Sequence, residues 1–187
     1  MTPELPQDAE SPIDYSNIPL HERPPIERRI AEFKDKIQVL QYNPVIEQLH
    51  YLGKGHQIEL FWGERYQESR CLTTPIKGGY SYGLRIKSIP VTGDNKEIVF
   101  DILHEMGHAF DPQKLPQVFT DEERQTPEYQ ELVRGREIRA WQWADREFER
   151  HSELHLDRGY YRAYRNFCLC TYGIDLNRYA GAKPINF

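Results

Sequence analysis

Apolar residues recur with helical spacing in two stretches of the first third of the chain. Ile26, Ile30, Phe33, Ile37 and Leu40 follow steps of four, three, four and three, with charged residues on the other face. Asn43-Pro44 reads as the N-cap and first residue of a shorter helix. That helix carries Val45, Ile46, Leu49 and Leu52 and ends at Gly53 and Gly55. The period then falls towards two. Residues 57–62, 70–75 and 80–91 are rich in strand formers, with Gly78-Gly79 as a turn. Leu84, Ile86 and Ser88 point one way and Arg85 and Lys87 the other, which predicts a strand with one wet face at a sheet edge.

Helical spacing returns over residues 96–110, where Ile98, Ile102, Met106 and Ala109 share a face before Pro112 stops the pattern. Residues 111–126 read as a polar loop. A long helix is expected over 127–153 and a last one, rich in tyrosine, over 156–172. The tail from Gly173 has no clear period. At the other end, six prolines between Pro3 and Pro25 exclude a helix, so residues 1–24 read as an extended or disordered arm. Residues 25–187 then form a single domain of the α+β class, a small antiparallel or mixed sheet packed on helices.

Composition narrows the function classes. The chain has 187 residues and a net charge of −5, with no basic excess to hold a polyanion, so no nucleic-acid partner is expected. No apolar run approaches the roughly 18 residues of a membrane span, so no membrane partner is expected. The N-terminal stretch has no apolar signal segment. Three cysteines, Cys71, Cys168 and Cys170, are an odd number and too few for a disulfide framework, which points to a cytoplasmic setting.

The chemistry is concentrated in His104-Glu105-Met106-Gly107-His108, an HExxH pattern inside a helical segment. Residues four apart share a helix face, so both imidazoles can reach one ion. Neutral imidazole is a good ligand for Zn2+. Glu105 stands beside the ion rather than on it, where it can take a proton from a metal-activated water.

A catalytic zinc site needs a third protein ligand. A histidine six residues after His108 is absent, since Lys114 stands there. Asp101 and Asp111 lie on the same stripe, but a further turn of one helix reaches the ion poorly, and Asp111 precedes Pro112. They read as groups that orient the histidines or end the helix. Glu137, on the next helix, is the better candidate. Ala140, Trp141 and Ala144 share its face, where a carboxylate is costly unless it meets a cation. The alternative is an ion pair with Arg134, Arg136 or Arg139 on a solvated face.

Together, HExxH and the downstream E-x-x-A-x-x-(aromatic)-A resemble the ImmA/IrrE-like branch of gluzincin metallopeptidases. The matching residues are His104, Glu105 and His108, then Glu137, Ala140, Trp143 and Ala144, and the likeness spans residues 96–144. It implies a zincin-like domain in which His104, His108 and Glu137 bind Zn2+ and Glu105 is the general base of peptide hydrolysis. The expected partner is a protein or peptide substrate. Candidate donors to the tetrahedral oxyanion are His151, His155, Tyr160, Tyr161 and Tyr164. Residues 79–85 are either an edge along which an extended substrate could pair or an ordinary internal strand or turn. Two other readings stay open: a toxin or effector protease acting in another cell, and a zinc-stabilised regulatory domain that does not cleave. Glu105 is needed only where cleavage occurs.

Overall fold

The computed structural model describes residues 19–63 and 67–183. Residues 1–18 of the expected arm lie outside them, and its remainder holds a 3-10 turn at Leu20–Glu22. The elements in order are α1 (Pro25–Ile37), α2 (Asn43–Gly55), β1 (Ile58–Gly63), β2 (Arg70–Ile76), β3 (Gly79–Lys87) and α3 (Lys96–Phe110). They are followed by α4 (Asp121–Arg124), α5 (Pro127–Arg150), α6 (Arg158–Thr171) and α7 (Leu176–Gly181). The fold is α+β, with seven helices and one three-stranded mixed sheet among the described residues. None of the described helices is long and apolar enough to cross a membrane.

The first helix ends earlier than its stripe suggested. Gln38 takes a left-handed conformation (φ 54°) and its N–H closes on the Lys34 carbonyl, so Leu40 falls outside the helix and is 80% exposed. Ile30, Phe33 and Ile37 are buried as the pattern required. Asn43 is already helical, with Pro44 in the first turn and no side-chain cap. The polar loop contains the single turn of α4, held by a Thr120–Glu123 capping box. The tail contains α7, started by the Asp175 side chain.

The strand order β1-β3-β2 corrects the edge assignment. β3 is the central strand, parallel to β1 and antiparallel to β2, and residues 82–85 are paired on both sides. The expected wet face holds at Arg85, which is exposed, and fails at Lys87. Lys87 is buried, and its ammonium meets the Asp101 carboxylate at 3.3 Å and donates to the Tyr164 hydroxyl at 3.1 Å. A residue-by-residue alternation cannot register a charge that finds its partners on α3 and α6.

α3 is the centre of the molecule. Glu97 through Ala109 are all buried, the pattern of a helix covered on every side rather than on one stripe. The sheet, α2, α5 and α6 all pack against it. One apolar cluster joins all these elements, including Phe33, Leu49, Leu84, Phe100, Trp141 and Tyr161.

His50 on α2 belongs to this core, 3% exposed and edge-on to Phe33 at 4.9 Å. Burial, aided by the nearby Arg29 charge, pulls its pKa down to about 3. The unfolded chain takes up this proton near pH 6.5 and the folded chain refuses it until about pH 3, so acidification through that window favours unfolding. Relative to a His50→Leu variant, the native protein is expected to lose about 3 kcal/mol between pH 7 and pH 4. Urea unfolding at both pH values measures the difference. Parallel pH curves would remove His50 as the cause.

Candidate metal centre

His104 and His108 stand one turn apart on α3, their rings 4.5 Å apart between centroids. Glu137 reaches them from α5. Its Oε2 lies 3.1 Å from His104 Nε2 and its Oε1 lies 3.4 Å from His108 Nε2. Ligand atoms around a tetrahedral ion with bonds of 2.0–2.1 Å stand about 3.3 Å apart, so both contacts have that spacing. Glu105 is the neighbour of this group. Its carboxylate and the two histidines have ligand-type atoms within 4.8 Å of one another, all three buried, and together they could hold a metal ion. Glu137 is nearer to the histidine nitrogens than that limit, and it faces both. The arginine alternative for Glu137 is not what the structure forms.

The meeting of α3 and α5 explains why Glu137 arrives there. A Cβ on Gly107 would lie 2.3 Å from the Ala140 carbonyl oxygen and 2.8 Å from its Cα. The helix backbones therefore touch at Gly107 and Ala140, and only a glycine on α3 permits it. Glu137 is one turn before Ala140 on the same face of α5, so this approach delivers its carboxylate to the histidine pair. Trp141, one turn after Glu137, stacks on His104 at 4.4 Å and closes the site from that side. Phe110 and Trp143 stack at 4.8 Å and join the same two helices further along.

The electrostatics favour a cation between these groups. Burial opposes charge on all of them. Against it, Glu137 holds the pKa of His104 up, and both histidines hold that of Glu137 far down. His108 is pulled down to about 4 by burial and remains a neutral ligand. Glu137 Oε2 is buried with no hydrogen-bond partner, even though His104 Nε2 is 3.1 Å away. A metal ion fits this vacancy of partners: it needs neutral imidazoles and a carboxylate, and it takes the place of the proton that Glu137 attracts. Burial pushes Glu105 up to about 7 in the protein alone, with the neighbouring Asp101 and Glu137 charges also raising it against His104 and Arg136.

Several expected roles are corrected. Asp101 does not orient a histidine. Its oxygens accept from Tyr164 (2.6 Å) and Ser69 (2.7 Å) and pair with Lys87, while both His104 Nδ1 and His108 Nδ1 lack a partner. Asp111 is a helix-end group. It bonds Arg139 Nε through both oxygens at 2.9 Å and accepts from the Gln113 N–H. Four of the five oxyanion candidates are hydrogen-bonded elsewhere, and the fifth, His151, has both ring nitrogens buried without a hydrogen-bond partner. Tyr160 donates to Glu97, Tyr161 to Asp145 and Tyr164 to Asp101. His151 sits by Glu147 at 3.3 Å, and His155 contacts the Glu149 carbonyl.

Three residues near the site were not singled out from the sequence. Partial burial, with 43% of the residue still exposed, and the charges of Glu137 and Glu105 raise the pKa of the Tyr172 hydroxyl just past α6. Cys71 on β2 feels Glu105, and burial pushes its thiol up to about 12. Arg136 acts on Glu105 and His108. Only Arg136, beside Glu137, carried a sequence signal, and it was read as a possible partner of Glu137. Comparisons of the chain with protein-family models, with curated proteins and with solved structures return no match.

Proposed function

We propose that the protein is a zinc-dependent peptidase of the zincin-like, gluzincin type that hydrolyses peptide bonds of a protein substrate. The observation that carries this reading is the bridging of His104 and His108 by Glu137 at tetrahedral ligand spacing, with a buried Glu105 beside them. His104, His108 and Glu137 would hold the ion. Bound there, zinc supplies Lewis acidity towards a water and the scissile carbonyl.

The remaining steps belong to the protein. Glu105 accepts the proton of the attacking water and passes it to the leaving amine. Its raised pKa, about 7 before the ion binds, suits a group that must take and return a proton near neutrality. An extended substrate aligns along β2, which among the described residues pairs only with β3 and carries Cys71 close to Glu105. Peptide hydrolysis is favoured over a purely structural zinc site because a structural site needs no buried carboxylate next to its ligands.

The test is metal removal. The purified protein is expected to carry one zinc per chain and to cleave unfolded protein substrates. Chelation should abolish cleavage and added zinc restore it. Cleavage that survives complete zinc removal would refute the mechanism. Glu137→Ala is expected to weaken zinc binding by at least about 100-fold while far-UV circular dichroism stays native. Unchanged zinc affinity on titration would take Glu137 out of the ligand set.

A further inference from the structure

α1, α2 and β1 enclose a cavity of about 280 Å³ that shares no lining residue with the metal centre. The local sequence explains it. Gln57 takes a left-handed conformation (φ 58°) and turns the chain from the end of α2 into β1. Gly53 lets the last turn of α2 lie against the start of the strand, since a Cβ there would stand 2.8 Å from the Ile58 carbonyl oxygen. Lys54 is thereby held beside β1, and the first turns of α1 close the space with Pro25, Ile26 and Arg29.

Three nitrogen-bearing side chains line this cavity without an anion. Arg29 is half-buried on α1 and lies over the Phe61 ring, 5.5 Å from its centre. Its Nε is buried without a hydrogen-bond partner, and its guanidinium forms no ion pair among the described residues. His50 is 3% exposed and fixed against Phe33 at 4.9 Å, and its Nε2 is likewise buried without a partner. Lys54 makes no ion pair among the described residues. Two carboxylates of the same helices are engaged elsewhere, Glu27 by Tyr51 and Glu47 by Lys34. Buried polar groups without partners are costly, so such groups around one space mark a missing acceptor.

The charge balance selects among anions. Arg29 and Lys54 bring two positive charges and Glu59, on the β1 wall, one negative, a net +1. Burial keeps His50 neutral, so it adds a hydrogen-bonding nitrogen and no charge. A single anionic charge balances this set, and the two of a phosphate do not. Much of the remaining wall is apolar, with Pro25, Ile26, Ile58 and Leu60. A planar carboxylate matches the arginine fork, and that wall matches a hydrocarbon body.

We propose that this cavity is a binding site for a monocarboxylate with an apolar body, held by Arg29 and Lys54 beside the His50 imidazole. Two sources share that chemistry: a free small acid, and the terminal carboxylate of a peptide that ends in an apolar residue. The site is independent of the peptidase reading, and its test needs no cleavage.

Nuclear magnetic resonance of the zinc-loaded full chain separates binding here from binding at the metal centre, because affinities are read from the backbone amides of Arg29, Lys54 and Leu60. The probes are hexanoate, hexanamide, inorganic phosphate and an acetylated dileucine with a free carboxylate. Hexanoate is expected to shift these amides and to bind about tenfold or more tightly than hexanamide. Tighter binding of the dileucine than of hexanoate assigns a peptide terminus; the reverse order assigns a free acid. Arg29→Gln should bring the affinities of hexanoate and hexanamide to within about twofold of each other. Arg29→Lys, which keeps the charge but not the fork, should retain a reduced preference and serves if the glutamine variant does not fold. Equal affinity for acid and amide, a preference that survives Arg29→Gln, or phosphate bound here as tightly as hexanoate would overturn the proposal. Amides unmoved by about 10 mM of every probe, or shifts confined to α3 and α5, would overturn it as well.

Discussion

Glu105→Gln is expected to leave zinc bound and remove cleavage. The amide keeps the size of the carboxylate and the burial of the site but cannot accept the water's proton. General-base catalysis contributes about 10²–10⁴-fold, and the loss in kcat should fall in that range. Zinc content should stay at one per chain, because Glu105 stands beside the His104, His108 and Glu137 set. The pairing of retained metal with lost rate is the informative outcome. Loss of zinc in this variant would make Glu105 a ligand. A rate within tenfold of the native protein would leave the proposed chemistry without its base.

Gly107→Ala should damage the protein in a different way. The new methyl carbon would stand 2.3 Å from the Ala140 oxygen, and that neighbour is helix backbone, which has no rotamer to change. α3 and α5 must move apart. Overpacking of this kind costs about 1–3 kcal/mol, and more where the backbone itself must shift. The same movement draws Glu137 away from His104 and His108. A misplacement near 1 Å costs about 100-fold in rate, and zinc affinity should fall with it. Thermal unfolding, zinc titration and peptide cleavage should all decline together. Adding Ala140→Gly should not rescue the variant, because the clash is with the Ala140 backbone and not its side chain. Full recovery in the double variant would contradict the account of the helix contact.

These two substitutions mark what was legible in the sequence. The HExxH spacing named the residues, and the apolar neighbours of Glu137 gave a physical reason for a carboxylate to seek a cation. The apolar stripe of α3 was visible in Ile98, Ile102, Met106 and Ala109. The glycine at 107 was legible only as a letter of the motif. Its reason lies in a backbone contact with a residue 33 positions away. The alternation of β3 could not decide between an edge and an internal strand, because it records burial, whereas its central place depends on the parallel pairing with β1. Lys87 looked solvated for a related reason: its partners Asp101 and Tyr164 come from two distant helices. The tyrosines after α5 were candidates by proximity in sequence, yet Glu97, Asp145 and Asp101 had claims on Tyr160, Tyr161 and Tyr164.

The most direct measurement of the central claim is the position of zinc in a crystal, located by its anomalous scattering. The geometry requires one peak about 2.0–2.1 Å from Nε2 of both His104 and His108, with a Glu137 oxygen about 2.0–2.2 Å away and Glu105 outside bonding distance. A peak coordinated by Glu105 with Glu137 turned away, or no peak between the histidines at saturating zinc, would contradict it.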